Sequence, residues 1–106
     1  MRIQVFVGTV KGAFLYSSDE SRSEWTVEGP LLGGWKVGAV SPDGEGGYVL
    51  ATSSYVYGAM VHRGEDLRSW DMVEAPPRYS EESGHKMKEI WTFGAGEGVL
   101  FAGVDE

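Results

Sequence analysis

The sequence contains no cysteine. That excludes a disulfide framework and any thiolate metal site. Histidine occurs only twice, at His62 and His85, which argues against a multi-histidine metal centre within one chain. Positive charge is scarce: nine Lys and Arg against sixteen Asp and Glu leave a formal charge of −7. A nucleic-acid surface needs a basic face to displace counterions from phosphates, so neither DNA nor RNA is an expected partner. The carboxylates are dispersed rather than gathered in a tail, as suits solubility. Long apolar runs are also missing. The opening MRIQVFVGTV alternates instead of forming the apolar core of a secretory signal, and no later stretch has the length of a transmembrane helix. No membrane partner and no cofactor is expected, and the cytoplasm is the default location.

A convincing helix is lacking too. The best candidate, Tyr79 to Trp91, carries Gly84 in its middle and has little apolar face, so a loop with one helical turn around Glu81 to Ser83 is expected. What the chain does have is glycine: sixteen residues, where an average composition of about 7% supplies seven or eight. They flank short runs rich in Val, Tyr, Phe and Trp, a pattern of strands and tight turns. The predicted strands are Ile3–Thr9, Ala13–Ser17, Trp25–Glu28, Lys36–Ser41, Tyr48–Ser53, Ala59–Arg63, Trp70–Val73, Glu89–Phe93 and Val99–Val104. Ser41 to Gly47, SPDGEGG, is a turn by composition, and Gly94 to Gly98, GAGEG, takes the corresponding place later. Because GAGEG precedes a strand rather than a helix, it is no phosphate loop.

The strands repeat. Val5–Thr9, Tyr48–Thr52 and Val99–Gly103 align; Gly12-Ala13-Phe14 matches Gly58-Ala59-Met60, Trp25 matches Trp70, and Lys36-Val37 matches Glu89-Ile90. A four-stranded unit recurring every ~40–50 residues is the signature of a β-propeller blade. The expected fold is therefore all-β, with antiparallel four-stranded blades of a partial propeller and about two blades present. The expected organisation is a partial blade over 1–30, a complete blade over 36–77 and the start of a third over 88–106. Propellers close with about four to eight blades, so a fragment of a longer propeller, or copies assembling through open edges, is anticipated.

Two polar turns, Ser17 to Trp25 (SSDESRSEW) and Arg63 to Trp70 (RGEDLRSW), each end in tryptophan. Their position and chemistry resemble the Asp box, or BNR repeat, with its pattern Ser-x-Asp-x-Gly-x-Thr-Trp. Ser17, Asp19, Ser21 and Ser23 fall on the Ser, Asp, Gly and Thr positions, with Glu24 extra before Trp25. In the second copy Arg63, Glu65, Leu67, Ser69 and Trp70 take the five places. The resemblance implies a structural role for Ser17, Asp19, Trp25, Glu65, Ser69 and Trp70: Asp19 and Glu65 accept backbone N–H bonds, the hydroxyl residue before the tryptophan, Ser69 in the second copy, makes a local bond, and Trp25 and Trp70 bury indole between sheets. VGTVKGAFLYSSD and IWTFGAGEGVLFAGVDE further resemble a bacterial group of glycosyl hydrolase or exo-sialidase-like BNR-repeat proteins.

Sialidases of this superfamily carry Phe/Tyr-Arg-Ile-Pro near their start, but here Arg2-Ile3 is followed by Gln4. No residue is therefore assigned a catalytic role. The resemblance puts ligands on the face opposite the Asp-box turns, in the connections Gly29–Lys36, Ser53–Gly58 and Glu74–Glu89. The candidate ligand residues are Trp35, Tyr55, Arg78, Tyr79, His85 and Lys86, suited to a carbohydrate, an anionic small ligand or a protein partner. Trp35 and Trp91 can stack on a sugar ring or pack between blades; both readings stay open. The functional expectation is a non-catalytic scaffold or binding module. The alternative is a fragment of a sialidase-like glycoside hydrolase whose other catalytic residues lie outside this chain.

Overall fold

A computed structural model describes residues 2–54, 58–74, 80–84, 87–96 and 98–105. These form nine strands and a single 3-10 turn at Glu81–Ser83, where one helical turn is expected from the sequence. The strands are β1 (Arg2–Thr9), β2 (Gly12–Asp19), β3 (Thr26–Leu31), β4 (Lys36–Pro42), β5 (Tyr48–Ser54), β6 (Gly58–Gly64), β7 (Asp71–Met72), β8 (Glu89–Gly96) and β9 (Val99–Asp105). All nine coincide with strands expected from the sequence. They pair antiparallel in three sheets: β1-β2-β3, then β4-β5-β6-β7, then β8-β9. No described helix is long and apolar enough to cross a membrane.

Alternation decides which side chains meet. Successive residues of a strand point to opposite faces, so β2 turns Ala13 and Leu15 one way and Phe14 and Tyr16 the other. Ala13 joins Val37 and Leu50 in a core between the first and middle sheets, with Phe6, Leu31, Leu32, Val40 and Trp70 packed around it. A second core, Ala51, Ala59, Val61 and Ile90, lies between the middle and third sheets, with Phe93 and Val104 against it. Leu15 and Leu50 are 0% exposed. Burying such a side chain is worth about 1.5–3 kcal/mol, so these two junctions hold the molecule together. Gly8 allows one of them: a Cβ there would lie 2.6 Å from the Val37 carbonyl oxygen, a separation only glycine tolerates.

The ladders correct the alignment of the strands. In β4–β5 Val37 faces Thr52, and in β8–β9 Ile90 faces Val104. Both pairs are followed by a bulge, between Val37 and Ala39 and between Ile90 and Thr92. Leu100–Val104, rather than Val99–Gly103, is thus the counterpart of Tyr48–Thr52. In the hairpins, Gly12 and Ala13 face Thr9 and Gly8 as Gly58 and Ala59 face Ser54 and Ser53. By that pairing Ile3–Val7 is the counterpart, rather than Val5–Thr9. The latter slip is even and leaves each side chain on its face. The slip in β9 is odd and turns every side chain over.

Two strands start later than expected: β3 at Thr26 and β7 at Asp71, so both tryptophans close their turns instead of opening their strands. Trp70 shows why. Its indole Nε1–H donates to the Leu67 carbonyl at 3.2 Å, back into the turn itself.

Candidate functional site

The antiparallel order gathers the connections at two ends. One end holds the connections β2–β3, β4–β5, β6–β7 and β8–β9; the other holds β1–β2, β3–β4, β5–β6 and β7–β8.

At the turn end, aspartates organise the backbone. Asp19 Oδ1 accepts from the Ser21 N–H at 2.9 Å and from the Ser21 hydroxyl. Asp43 Oδ1 accepts from the N–H groups of Glu45 at 2.7 Å and Gly47 at 3.0 Å. Asp66 Oδ1 accepts from Arg68 and Ser69, both at 2.8 Å. These bonds hold all three carboxyls below the usual range: the Ser21 hydroxyl is the main cause for Asp19, the Glu45 N–H for Asp43 and the Ser69 N–H for Asp66. The turn acceptor of the second tryptophan turn is therefore Asp66 and not Glu65, which is exposed. An aspartate reaches N–H groups two and three residues onward, whereas the extra methylene of glutamate overshoots them. Ser69 takes part through its backbone N–H. Ser17 is 6% exposed and its hydroxyl has no hydrogen-bond partner among the described residues; the neighbouring Ser18 hydroxyl donates to the Glu24 carbonyl at 2.6 Å.

The two indoles differ. Trp70 is half-buried and meets Phe6 edge-on, with ring centroids 5.9 Å apart. Trp25 is 40% exposed, which corrects the expectation that it is buried between sheets. Among the described residues no sheet lies on the side of the first sheet that would cover it. Arg68 Nε also joins the first two sheets, donating to both oxygens of Glu28 at 2.8 and 3.1 Å. A cleft of about 730 Å³ opens beside this turn, lined by Asp43, Arg63, Asp66, Ser69 and Asp71 among others. Despite its carboxylates, no group of three metal-ligating side chains converges among the described residues.

At the opposite end, the Gly34 N–H donates to the Lys11 carbonyl at 3.1 Å and ties two connections together. Trp35 stands half-buried there, edge-on to His62 with centroids 6.1 Å apart. His62 is 2% exposed; its Nε2 shares a 2.9 Å hydrogen bond with the Thr52 hydroxyl, and Nδ1 has no hydrogen-bond partner among the described residues. Burial pushes its pKa down, so the neutral ring is the stable form. Lys36 pairs with Glu89 across the middle and third sheets, and Glu89 Oε2 accepts from the Trp91 indole at 3.1 Å. The Lys36 hydrogen bond is the main cause that lowers the Glu89 carboxyl. Trp91 is 63% exposed, so of its two readings the inter-blade packing does not occur here.

Of the six candidate ligand residues, Trp35 is the one described; Tyr55, Arg78, Tyr79, His85 and Lys86 lie outside the described residues. The sequence reading missed the Lys36–Glu89–Trp91 chain, since it joins strands of two sheets and no local pattern announces it. The acceptor roles of Asp43 and Asp66 were missed as well; the signal that could have found them is an aspartate at the start of a polar turn, placed to accept from N–H groups two to four residues onward.

No family model matches the chain, and no curated protein matches it significantly.

Proposed function

We propose that this chain is a BNR/Asp-box, sialidase-like propeller segment that acts as a non-catalytic scaffold, with the end opposite its aspartate turns as the binding face for a carbohydrate or small anion. The observation that carries the reading is the repetition of one local plan. β4–β5 and β8–β9 bulge at the same pair, and comparable polar turns follow β2 and β6. Such repetition is what stacked blades require, because each sheet must offer its neighbours the same two faces.

The two ends support a division of labour. At the turn end Asp19, Asp43 and Asp66 are already engaged by backbone N–H groups. At the other end an exposed indole, Trp91, adjoins the Lys36–Glu89 pair, and Trp35 sits in the β3–β4 link. An aromatic face beside charged donors and acceptors suits a sugar ring, which offers apolar C–H faces and hydroxyl edges. A glycosidase also needs a carboxyl held protonated as general acid, which means a raised pKa. The shifted carboxylates among the described residues, Asp19, Glu28, Asp43, Asp66 and Glu89, all move down.

Titration with N-acetylneuraminic acid and with neutral and sulfated monosaccharides, followed by the indole N–H resonances, tests this reading. Movement of Trp35 or Trp91 with Trp25 and Trp70 unmoved is the expected result. Release of fluorophore from a fluorogenic sialoside by the purified chain would overturn the non-catalytic assignment.

A further inference from the structure

The two outer sheet faces display apolar side chains at positions that are buried one sheet along. In the first sheet the cross-strand row Val5–Tyr16–Val27 points away from the middle sheet. Val5 is 46% exposed and Val27 54%, and Val7 on the same face is 38% exposed. By ladder pairing Val5 corresponds to Leu50, which is 0% exposed against the first sheet. In the third sheet Val104 packs toward the middle sheet and Leu100 lines a cleft shared with Val49 and Val61. Strand alternation therefore turns Phe101 outward, and it is 63% exposed. Its counterpart by ladder pairing, Val49, is 2% exposed.

The chain thus carries, on opposite sides of one stack, the two halves of a junction that it builds twice internally. We infer that copies of this chain associate head to tail, the outer face of the third sheet of one copy seating on the outer face of the first sheet of the next. This continues the established sheet junctions, in which an outward face of one sheet always meets the opposite face of its neighbour. Because the two faces differ, the contact is heterologous, and it propagates to a ring or a chain of copies rather than stopping at a two-fold dimer. The rows Ile3–Ser18, Val5–Tyr16–Val27 and Val7–Phe14 hold no charge, so apolar burial drives the contact. The net charge of −7 on every copy opposes it. The inference rests on the ladder equivalences and is independent of any ligand.

Sedimentation of the 106-residue chain tests it. The expected result is a mass that rises above 11.6 kDa with concentration, and rises further from about 0.05 to 0.5 M salt as repulsion is screened. Val27→Asp and Phe101→Asp each remove one half of the contact, so each alone is monomeric. Mixed together they form a dimer and nothing larger, since one intact half of each kind remains. That dimer also shows that both variants are folded; Phe101→Ser replaces the aspartate if circular dichroism reports lost strand. A wild-type chain that stays monomeric at every concentration and salt overturns the inference. So does a Phe101→Asp chain that self-associates like wild type, because the first sheet would then be pairing with itself.

Discussion

The two tryptophan turns make the same local choices and reach different ends. In each, an aspartate gathers backbone N–H groups: Asp19 from Ser21, and Asp66 from Arg68 and Ser69. Yet Trp70 is packed on Phe6 while Trp25 is 40% exposed. The difference lies in the neighbour, not in the turn. The middle sheet has the first sheet beside it, and among the described residues no sheet lies on the first sheet's far side. Local sequence therefore sets the turn, and stacking sets what its tryptophan is worth. The same contrast separates Leu50 from Val5, which occupy equivalent ladder positions on a closed and an open face.

Substitutions at matched positions test this contrast. The largest effect belongs to Leu50→Ala, which opens a cavity in the first–middle junction and costs about 2–5 kcal/mol in urea unfolding. Val5→Ala, at the matching place on the open face, costs less than about 1 kcal/mol. Equal losses would mean that the open face is covered. Trp70→Ala comes next at about 2 kcal/mol, against less than about 1 kcal/mol for Trp25→Ala.

Acid sensitivity provides a third contrast. His62 is buried neutral in the middle sheet, where the first sheet has Tyr16 at the corresponding place. Its folded pKa lies below the ordinary 6.5 because burial disfavours the charged ring. The unfolded chain therefore binds the proton first, and stability present above about pH 6.5 is lost as the pH falls below it. Urea midpoints at pH 7.5 and pH 5.5 should differ for wild type and converge for His62→Gln. The smallest effects are at the exposed turn acceptors. Asp66→Ala should lower the urea midpoint slightly and Glu65→Ala leave it unchanged. The Asp66 contribution is present above its ordinary pKa of 3.8 and disappears as the pH falls through the lowered folded value.

Much of the fold was legible because glycine punctuates alternating apolar runs, and both are local signals. Hence all nine strands and the turn at Glu81–Ser83 were readable without knowing what packs on what. Ladder register was not legible in β9. Val99–Gly103 and Leu100–Val104 both offer an apolar alternation, and only the pairing of Val104 with Ile90 chooses between them. The choice of Asp66 over Glu65 turned on one methylene, which a pattern anchored on Trp70 overrides. Trp25 read as buried because its burial depends on a partner sheet that no local pattern describes. At the candidate binding end, Trp35 was legible as an aromatic in a glycine-rich link. The Lys36–Glu89–Trp91 chain, which spans two sheets, was not.

The neighbouring sheet, rather than the turn, gives each tryptophan its role. A double-mutant cycle on Phe6→Ala and Trp70→Ala measures it directly. An edge-on aromatic pair across the first–middle junction predicts a coupling of about 0.5–1.5 kcal/mol, with none between Phe6 and Trp25. Additive losses at Phe6 and Trp70, or an equal coupling to Trp25, would contradict the account.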